Sequence, residues 1–335
     1  MSAFADLLAR WGAAAPAGSL LLNTDDPEIF PILDQGQPLR HCHFRRESDL
    51  QHNALGASPC AFPDGLETPA PAVFWAWPKA RQEAVMMLDW LASHIELGGQ
   101  LWLMGHNKGG IRSAPKTLSA LGWQAHKVGS ARHCVLLRAT PPANPPPFSL
   151  ENYWQPCPLP GGGTLWSLPG VFSHGRIDRG SQLLLPFLEH ALDSPVLDFG
   201  CGAGLLSLAA STHHPGHRFI GVDNHQLALL SARRTAEENR LALETCWSDG
   251  LPRTDIACSS LITNPPFHAG LETRYDITYR LLRDGHQVLR PGARWLGVVN
   301  DHLPYGDWLK QYLRQVECLY QGDGFRVWSG RLPQG

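Results

Sequence analysis

The stretch Val196-Leu-Asp-Phe-Gly-Cys-Gly-Ala-Gly204 joins an apolar run with an acidic residue to three glycines at alternate positions, and Leu205-Leu-Ser-Leu-Ala-Ala210 continues it with helical character. This pattern predicts a strand, a tight turn and a helix start, the opening of a nucleotide-cofactor site. Glycines at 200, 202 and 204 lack the Cβ atoms that keep a ligand off the backbone, and they tolerate positive φ. The helix that follows offers free N–H groups to a negative group. A pyridine-dinucleotide fingerprint places its third glycine one residue later, where this chain has Leu205, so the spacing favours another nucleoside cofactor. One helix downstream, Phe219-Ile-Gly-Val-Asp223 reads as the second parallel strand. Asp223 at its end is placed to accept both hydroxyl hydrogens of a ribose.

A third motif, Asn264-Pro-Pro-Phe267, closes the strand that begins at Leu261. With the glycine loop and Asp223 in this order, the second half of the chain resembles the class I S-adenosylmethionine-dependent methyltransferases. The resemblance implies that Asp198 to Gly204 is the cofactor loop and Asp223 the ribose acid. It also implies that Asn264 to Phe267 is the turn of those enzymes that methylate planar exocyclic nitrogens. A sulfonium methyl is already activated, so the remaining task is to place and orient the nucleophile. An aromatic amino group attacks poorly while its lone pair is delocalised into the ring. The side-chain oxygen of Asn264 can accept one of its hydrogens and the carbonyl of Pro265 the other, in a turn stiffened by proline on both sides of that carbonyl. Together they favour a pyramidal nitrogen and the positive charge it develops. Phe267 can stack on the base, and no metal is required.

The 335 residues exceed one ordinary domain and suit two, each with its own core. A hydrophobic fraction of 43% with 17% charged residues fits a soluble globular protein. No apolar run is long enough to span a bilayer and no basic N-terminal region leads into one, so a cytoplasmic protein with no membrane partner is expected. The eight cysteines form no C-x-x-C pair and read as reduced, mostly buried side chains. His41-Cys42-His43 makes a poor metal site, because adjacent strand residues point to opposite faces. At a formal net charge of −2, a nucleic acid has to be met by a local basic face.

The first half shows the same order of elements as the second, by duplication or because α/β proteins repeat this unit anyway. Val73 to Trp77 reads as a strand, Ala80 to Ile95 as a helix, Gly98-Gly99 as a turn and Gln100 to Met104 as a strand. Leu261 to Pro266, a helix to Leu289, Pro291-Gly292 and Arg294 to Val299 give the same order. Ser19 to Asn23 occupies the place of the cofactor strand, yet no glycines follow it. The fold class expected is therefore α/β, with two tandem Rossmann-like domains of the class I methyltransferase type. Residues 1–139 form the degenerate one, 140–150 a proline-rich linker and 151–335 the catalytic one.

Gly105-His-Asn-Lys-Gly-Gly110, running on to Lys116, is the most polar and basic stretch of the first half, and it offers Lys108, Arg112 and Lys116 to RNA or is simply a solvated loop. Phe172 to Gln182 carries Arg176 and Arg179 and is placed to fold over the methionine end of a cofactor or to touch RNA. On the helix from Asn224 to Asn239, Arg233, Arg234, Glu237 and Glu238 read as a solvated face. The third strand ends at Ser248 and Asp249, where an acidic side chain can face the adenine amino group or merely open a turn.

The whole chain resembles the ribosomal RNA small subunit methyltransferase C family of guanine N2 methyltransferases. The stretches that carry the resemblance are Leu168-Pro-Gly-Val-Phe-Ser-His-Gly-Arg-Ile-Asp-Arg-Gly-Ser-Gln182, the cofactor loop and Asn264-Pro-Pro-Phe-His268. The resemblance implies S-adenosyl-L-methionine as cofactor, 16S ribosomal RNA in the 30S subunit as partner, and a first domain that has lost cofactor binding. A monomer without metal is expected. The expected catalytic residues are Asn264, Pro265 and Phe267. Cofactor contacts are expected from Asp198, Gly200, Cys201, Gly202, Gly204, Asp223, Asn224, Ser248, Asp249 and Asn264. Substrate contacts are expected from Lys108, Arg112, Lys116, Arg176, Arg179, Pro266 and His268. Asp249 stands where many relatives have asparagine. Three alternatives stay open: a guanine of large-subunit RNA, a glutamine N5 in a protein factor that uses the same turn, and a ribosome-assembly module without catalysis.

Overall fold

A computed structural model describes residues 1–12, 15–24, 26–33, 39–42, 62–64, 66, 68–252, 256–265, 271–301 and 305–334, with backbone alone at 41, 42 and 271–277. The chain divides into two units, Met1–Tyr153 and Trp154–Gly335. The first contains α1 (Ala3–Arg10), β1 (Leu20–Leu22), α2 (Phe30–Leu33), β2 (Arg40–Cys42), β3 (Ala70–Ala76), α3 (Arg81–Ala92), β4 (Ile95–His106), α4 (Ala114–Ala120), β5 (Gln124–Ala131) and β6 (Cys134–Thr140). Its six strands lie in the order β2-β1-β3-β4-β6-β5. The first four are parallel, and β6 runs antiparallel to both β4 and β5. All three leucines of β1 are buried, as a central strand covered on both faces requires.

The proline-rich stretch after β6 stays with this unit. Phe148 packs against the rings of Phe62 and Tyr153 at centroid distances of 6.1 and 5.9 Å. The Tyr153 hydroxyl donates to Asp89 on α3. The division falls after Tyr153, at the end of this anchored segment.

The second unit contains β7 (Gln155–Pro158), β8 (Thr164–Ser167), α5 (Arg179–Leu184), β9 (Val196–Phe199), α6 (Leu205–His213), β10 (Phe219–Asp223), α7 (Gln226–Asn239), β11 (Leu243–Trp247), β12 (Cys258–Thr263), α8 (Leu271–Asp284), β13 (Leu289–Asn300), α9 (Tyr305–Tyr312), β14 (Arg314–Gly322) and β15 (Phe325–Arg331). Seven strands form the order β11-β10-β9-β12-β13-β15-β14. The first five are parallel, and β15 is antiparallel to its two neighbours. Without β11, the remaining order has the same connectivity as β2-β1-β3-β4-β6-β5 in the first unit. Two α/β sheets of one topology are what the repeated pattern in the sequence predicts.

The core of the second unit lies on both faces of its sheet. Leu197 and Phe199 of β9 pack with Leu261, Trp295 and Val299, whereas Val196 packs with Ile262, Leu296 and Val327 on the other face. The strand order turns back between β9 and β12, so the carboxyl ends of these two strands flank a crevice where open α/β sheets bind ligands.

Helix α7 also serves as a partner for β8. Ser231, Thr235 and Asn239 recur at every fourth position and accept from the backbone N–H groups of Leu168, Trp166 and Thr164 at 3.0, 2.9 and 2.9 Å. Asn239 Nδ2 returns a bond to the Thr164 carbonyl at 2.8 Å. These side chains satisfy amides that an edge strand leaves open. Arg234 departs from the expected solvated face. Its guanidinium lies over the rings of Trp154 and Trp166 at 5.9 and 5.4 Å and pairs with Glu238. Arg233, Glu237 and Glu238 are exposed as expected.

Candidate active site

The loop after β9 adopts the backbone that its glycines permit. Gly200, Gly202 and Gly204 have φ of 72°, 54° and 86°. The N–H groups of Gly200 and Cys201 both bond to the Val222 carbonyl at the end of β10, at 2.8 and 3.0 Å. The loop is thereby tied to the neighbouring strand. A Cβ on Gly202 would meet nothing within 4 Å, so the backbone there faces open space. A Cβ on Gly204 would touch Leu243 and Ala232 at 3.4 and 3.6 Å, which places this glycine under the packed α7 and β11. The Cys201 side chain points into the core beside Leu229 and Ala232, and burial raises its thiol well above the ordinary value. Any contact from Cys201 to a ligand is therefore through its backbone.

Asp223 holds the loop as well as facing it. Its Oδ2 accepts from Gly202 N at 3.0 Å and its Oδ1 from His225 N at 2.8 Å. A carboxylate oxygen can accept more than one hydrogen bond, as a group that meets ribose hydroxyls requires. An open-sided glycine and a fixed carboxylate at adjacent strand ends suit a nucleoside cofactor. Ser248 lies one strand further out, its N–H on the Asp223 carbonyl at 3.1 Å. Asp249 and Asn224 are exposed at the same end of the sheet, and the Asn224 carbonyl accepts from Trp247 Nε1 at 2.9 Å.

Asp198, expected among the cofactor contacts, lies inside the unit rather than on the crevice wall. It is completely buried, and its Oδ2 accepts from the Ser207 hydroxyl and N–H at 2.6 and 3.1 Å. Through these bonds the side chain anchors the first turns of α6. Burial pushes its carboxyl up to about 7; the Ser207 bonds pull the other way and the Asp223 charge adds to the rise. A folded-state value above the unfolded 3.8 means that the native state binds more protons between these limits. The stability contributed by Asp198 thus falls as pH rises through this window and levels off above it. Asp198→Asn keeps an oxygen for Ser207 and removes the titration. Its stability relative to the parent should rise between about pH 5 and about pH 8 in chemical denaturation. A pH-independent difference would contradict the assignment.

Asn264 follows β12 at the other side of the crevice and is partly buried, and Pro265 next to it is buried. The preceding Thr263 hydroxyl donates to the Phe199 carbonyl at 2.8 Å and ties this strand end to that of β9. Asn264 Nδ2 donates to Asp178 Oδ1 at 3.0 Å and to Ser181 Oγ at 2.9 Å. Sequence reasoning singled out the segment of Asp178 and Ser181 for its arginines and glycines, not for these two residues. A signal was present, since Asp178-Arg-Gly-Ser181 is a capping pattern and Asp178 caps α5. Pro266, Phe267 and His268 lie outside the described residues, as does His43 of the His-Cys-His stretch.

The basic candidates fall into both units. Lys108, Arg112 and Lys116 are all exposed along residues 107–116 after β4. Arg112 also lines a cavity of about 400 Å³ with Asn107, Lys127, Ser130 and the apolar Ile111 and Leu137. In the second unit Arg176 and Arg179 are exposed, but Arg179 is ion-paired with Asp323 in the β14–β15 turn. Its charge is already engaged, which weakens the expectation that it meets RNA. Among the described residues no cluster of His, Cys, Asp or Glu could hold a metal ion, and no helix is long and apolar enough to cross a membrane.

Comparison with known proteins follows this division. Residues 162–329 match the family described as "Methyltransferase small domain", and residues 19–157 match "Methyltransferase small domain N-terminal". A ribosomal RNA small subunit methyltransferase C of Pseudomonas syringae pv. syringae is 39% identical over 259 residues, covering 76% of this chain and 77% of the relative. One from Pseudomonas putida is 38% identical over 320 residues, covering 95% and 93%. The solved T. thermophilus 16S rRNA N2 G1207 methyltransferase, in complex with AdoMet and guanosine, superposes with a TM-score of 0.81 at 24% identity. That match covers 98% of this chain and 91% of the neighbour, and it supports the fold.

Proposed function

The chain belongs to the ribosomal RNA small subunit methyltransferase C family, and on that premise we propose that it methylates the exocyclic N2 of a guanine in 16S ribosomal RNA. The observation that carries the reading is the placement of Asn264 across the crevice from the Gly202–Asp223 pair, with its amide nitrogen already bonded and no bond to its oxygen among the described residues.

The S-adenosyl-L-methionine site is assigned to the backbone of Gly200, Cys201, Gly202 and Gly204, to Asp223 for the ribose, and to Asn224, Ser248 and Asp249 for the adenine end. Bound there, the cofactor supplies a methyl group activated by its sulfonium. The protein's part is to hold the amine. Asn264 Oδ1 accepts one N–H of the guanine amino group and the Pro265 carbonyl the other, which localises the lone pair and favours the charge that develops on nitrogen. The product ammonium then loses a proton to water, so no strong base is needed at the site. Phe267 is assigned to stacking on the base, and Pro266 and His268 to the same turn. Lys108, Arg112, Lys116 and Arg176 are assigned to RNA phosphates, with the 30S subunit as the working substrate in the cytoplasm.

Transfer of labelled methyl groups to purified 30S subunits, naked 16S RNA, 50S subunits and a release factor, run in parallel, tests the acceptor. Label in small-subunit RNA is the expected result. Label in large-subunit RNA or in the release factor alone would overturn the assignment, and cofactor binding without transfer to any acceptor would favour an assembly role.

A further inference from the structure

We propose that Asp178 and Ser181 are positioning residues for Asn264, setting its side-chain amide so that only Oδ1 faces the amine to be methylated. The proposal rests on the reading of Asn264 as the acceptor for that amine. An asparagine amide has two hydrogens on Nδ2 and two lone pairs on Oδ1. Both hydrogens are used, one by Asp178 Oδ1 at 3.0 Å and one by Ser181 Oγ at 2.9 Å. The reversed amide would set Oδ1 against a carboxylate that has no hydrogen to give, so the network itself fixes the orientation. Only the fixed orientation leaves an acceptor for the substrate. A charged acceptor behind the amide also polarises it, since hydrogen bonds to carboxylates are the stronger kind and bonds in series reinforce one another. Oδ1 becomes a better acceptor for an amine that gains positive charge.

The clamp is built into the fold. Asp178 Oδ1 also accepts from Ser181 N at 3.0 Å, and the Asp178 carbonyl accepts from Gln182 N at 3.0 Å, so both clamping residues are locked to the start of α5. Ser181 is only 5% exposed, which limits competition from water for its hydroxyl. Gly180 between them leaves the needed room. A Cβ there would lie 3.2 Å from Asp178 Oδ1 and from Phe325, and 3.4 Å from Asn264 Nδ2.

The test uses the full chain. Ser181→Ala removes one acceptor and keeps the backbone N–H that caps α5, while Asp178→Asn keeps an acceptor oxygen and removes the charge. Asp178→Ala removes both. The Asn264 side-chain amide resonances, identified by their loss in Asn264→Ala, are recorded by nitrogen-15 NMR beside kcat and KM. Both alanine variants should shift those resonances. Ser181→Ala should lower kcat about tenfold and Asp178→Ala about a hundredfold, with KM for cofactor within about twofold and partial recovery in Asp178→Asn. A merely structural cap would leave the Asn264 resonances and the Ser181→Ala kcat unmoved, and that result overturns the proposal. Shifted resonances with unchanged turnover overturn the catalytic part of it. Absence of transfer to RNA by the parent protein overturns the reaction reading, while the resonances still decide whether the clamp exists.

Discussion

Asn264→Ala is expected to lower kcat by about two to three orders of magnitude, while KM for S-adenosylmethionine changes little. The expectation follows from where the side chain stands. Its amide nitrogen is held by Asp178 and Ser181, and its oxygen, unbonded among the described residues, is the group proposed to meet the substrate amine. That bond matters most when the nitrogen lone pair leaves the ring and positive charge builds, which is later than the binding step. An interaction realised chiefly in the transition state appears in kcat. Loss confined to KM would show instead that Asn264 binds substrate uniformly. The measurement is steady-state methyl transfer at saturating cofactor, with thermal unfolding of the variant as a check on folding.

The second large effect is on the cofactor. Asp223→Ala should weaken S-adenosylmethionine binding by about a hundredfold or more, because two hydrogen bonds from ribose hydroxyls to a carboxylate are lost together. A further loss comes from the loop. Asp223 Oδ2 is the acceptor for Gly202 N, and Oδ1 for His225 N. Without them the residue with open space above it is no longer pinned, so the bound conformation of the loop has to be selected at binding. Calorimetric titration of the purified chain reads the effect directly. An affinity within about threefold of the parent would show that the ribose does not meet Asp223.

The parts of this site that were legible in the sequence are local. The three glycines, the aspartate that ends β10 and the turn at Asn264 each announce themselves within a few residues, because strand, turn and cap chemistry act at short range. The duplicated topology was legible for the same reason, as a repeated order of strand, helix and glycine turn. What the sequence hid depends on distant pairs. Asn264 meets Asp178 across 86 positions and Ser181 across 83, and Arg179 meets Asp323 across 144. The burial of Asp198 was hidden for another cause. In a strand covered on both faces, alternation does not say which side chain faces a ligand, and this one turned inward to Ser207. Arg234 looked solvated because its neighbours on the helix are. Trp154 and Trp166, which shield it, lie far back in the chain.

The two halves of the site cooperate through the sheet. The N–H groups of Gly200 and Cys201 are bonded to the end of β10, and the Thr263 hydroxyl is bonded to the end of β9, so the glycine loop and the turn at Asn264 share one support. Rigid placement is what a reaction with an already activated methyl needs. Its most direct test is the identity of the methylated nucleoside, determined by chromatography and mass spectrometry of small-subunit RNA after reaction with the purified chain. The account predicts N2-methylguanosine, absent with Asn264→Ala. A methyl group on an adenine N6, or N2-methylguanosine formed equally well by the Asn264→Ala protein, would contradict it.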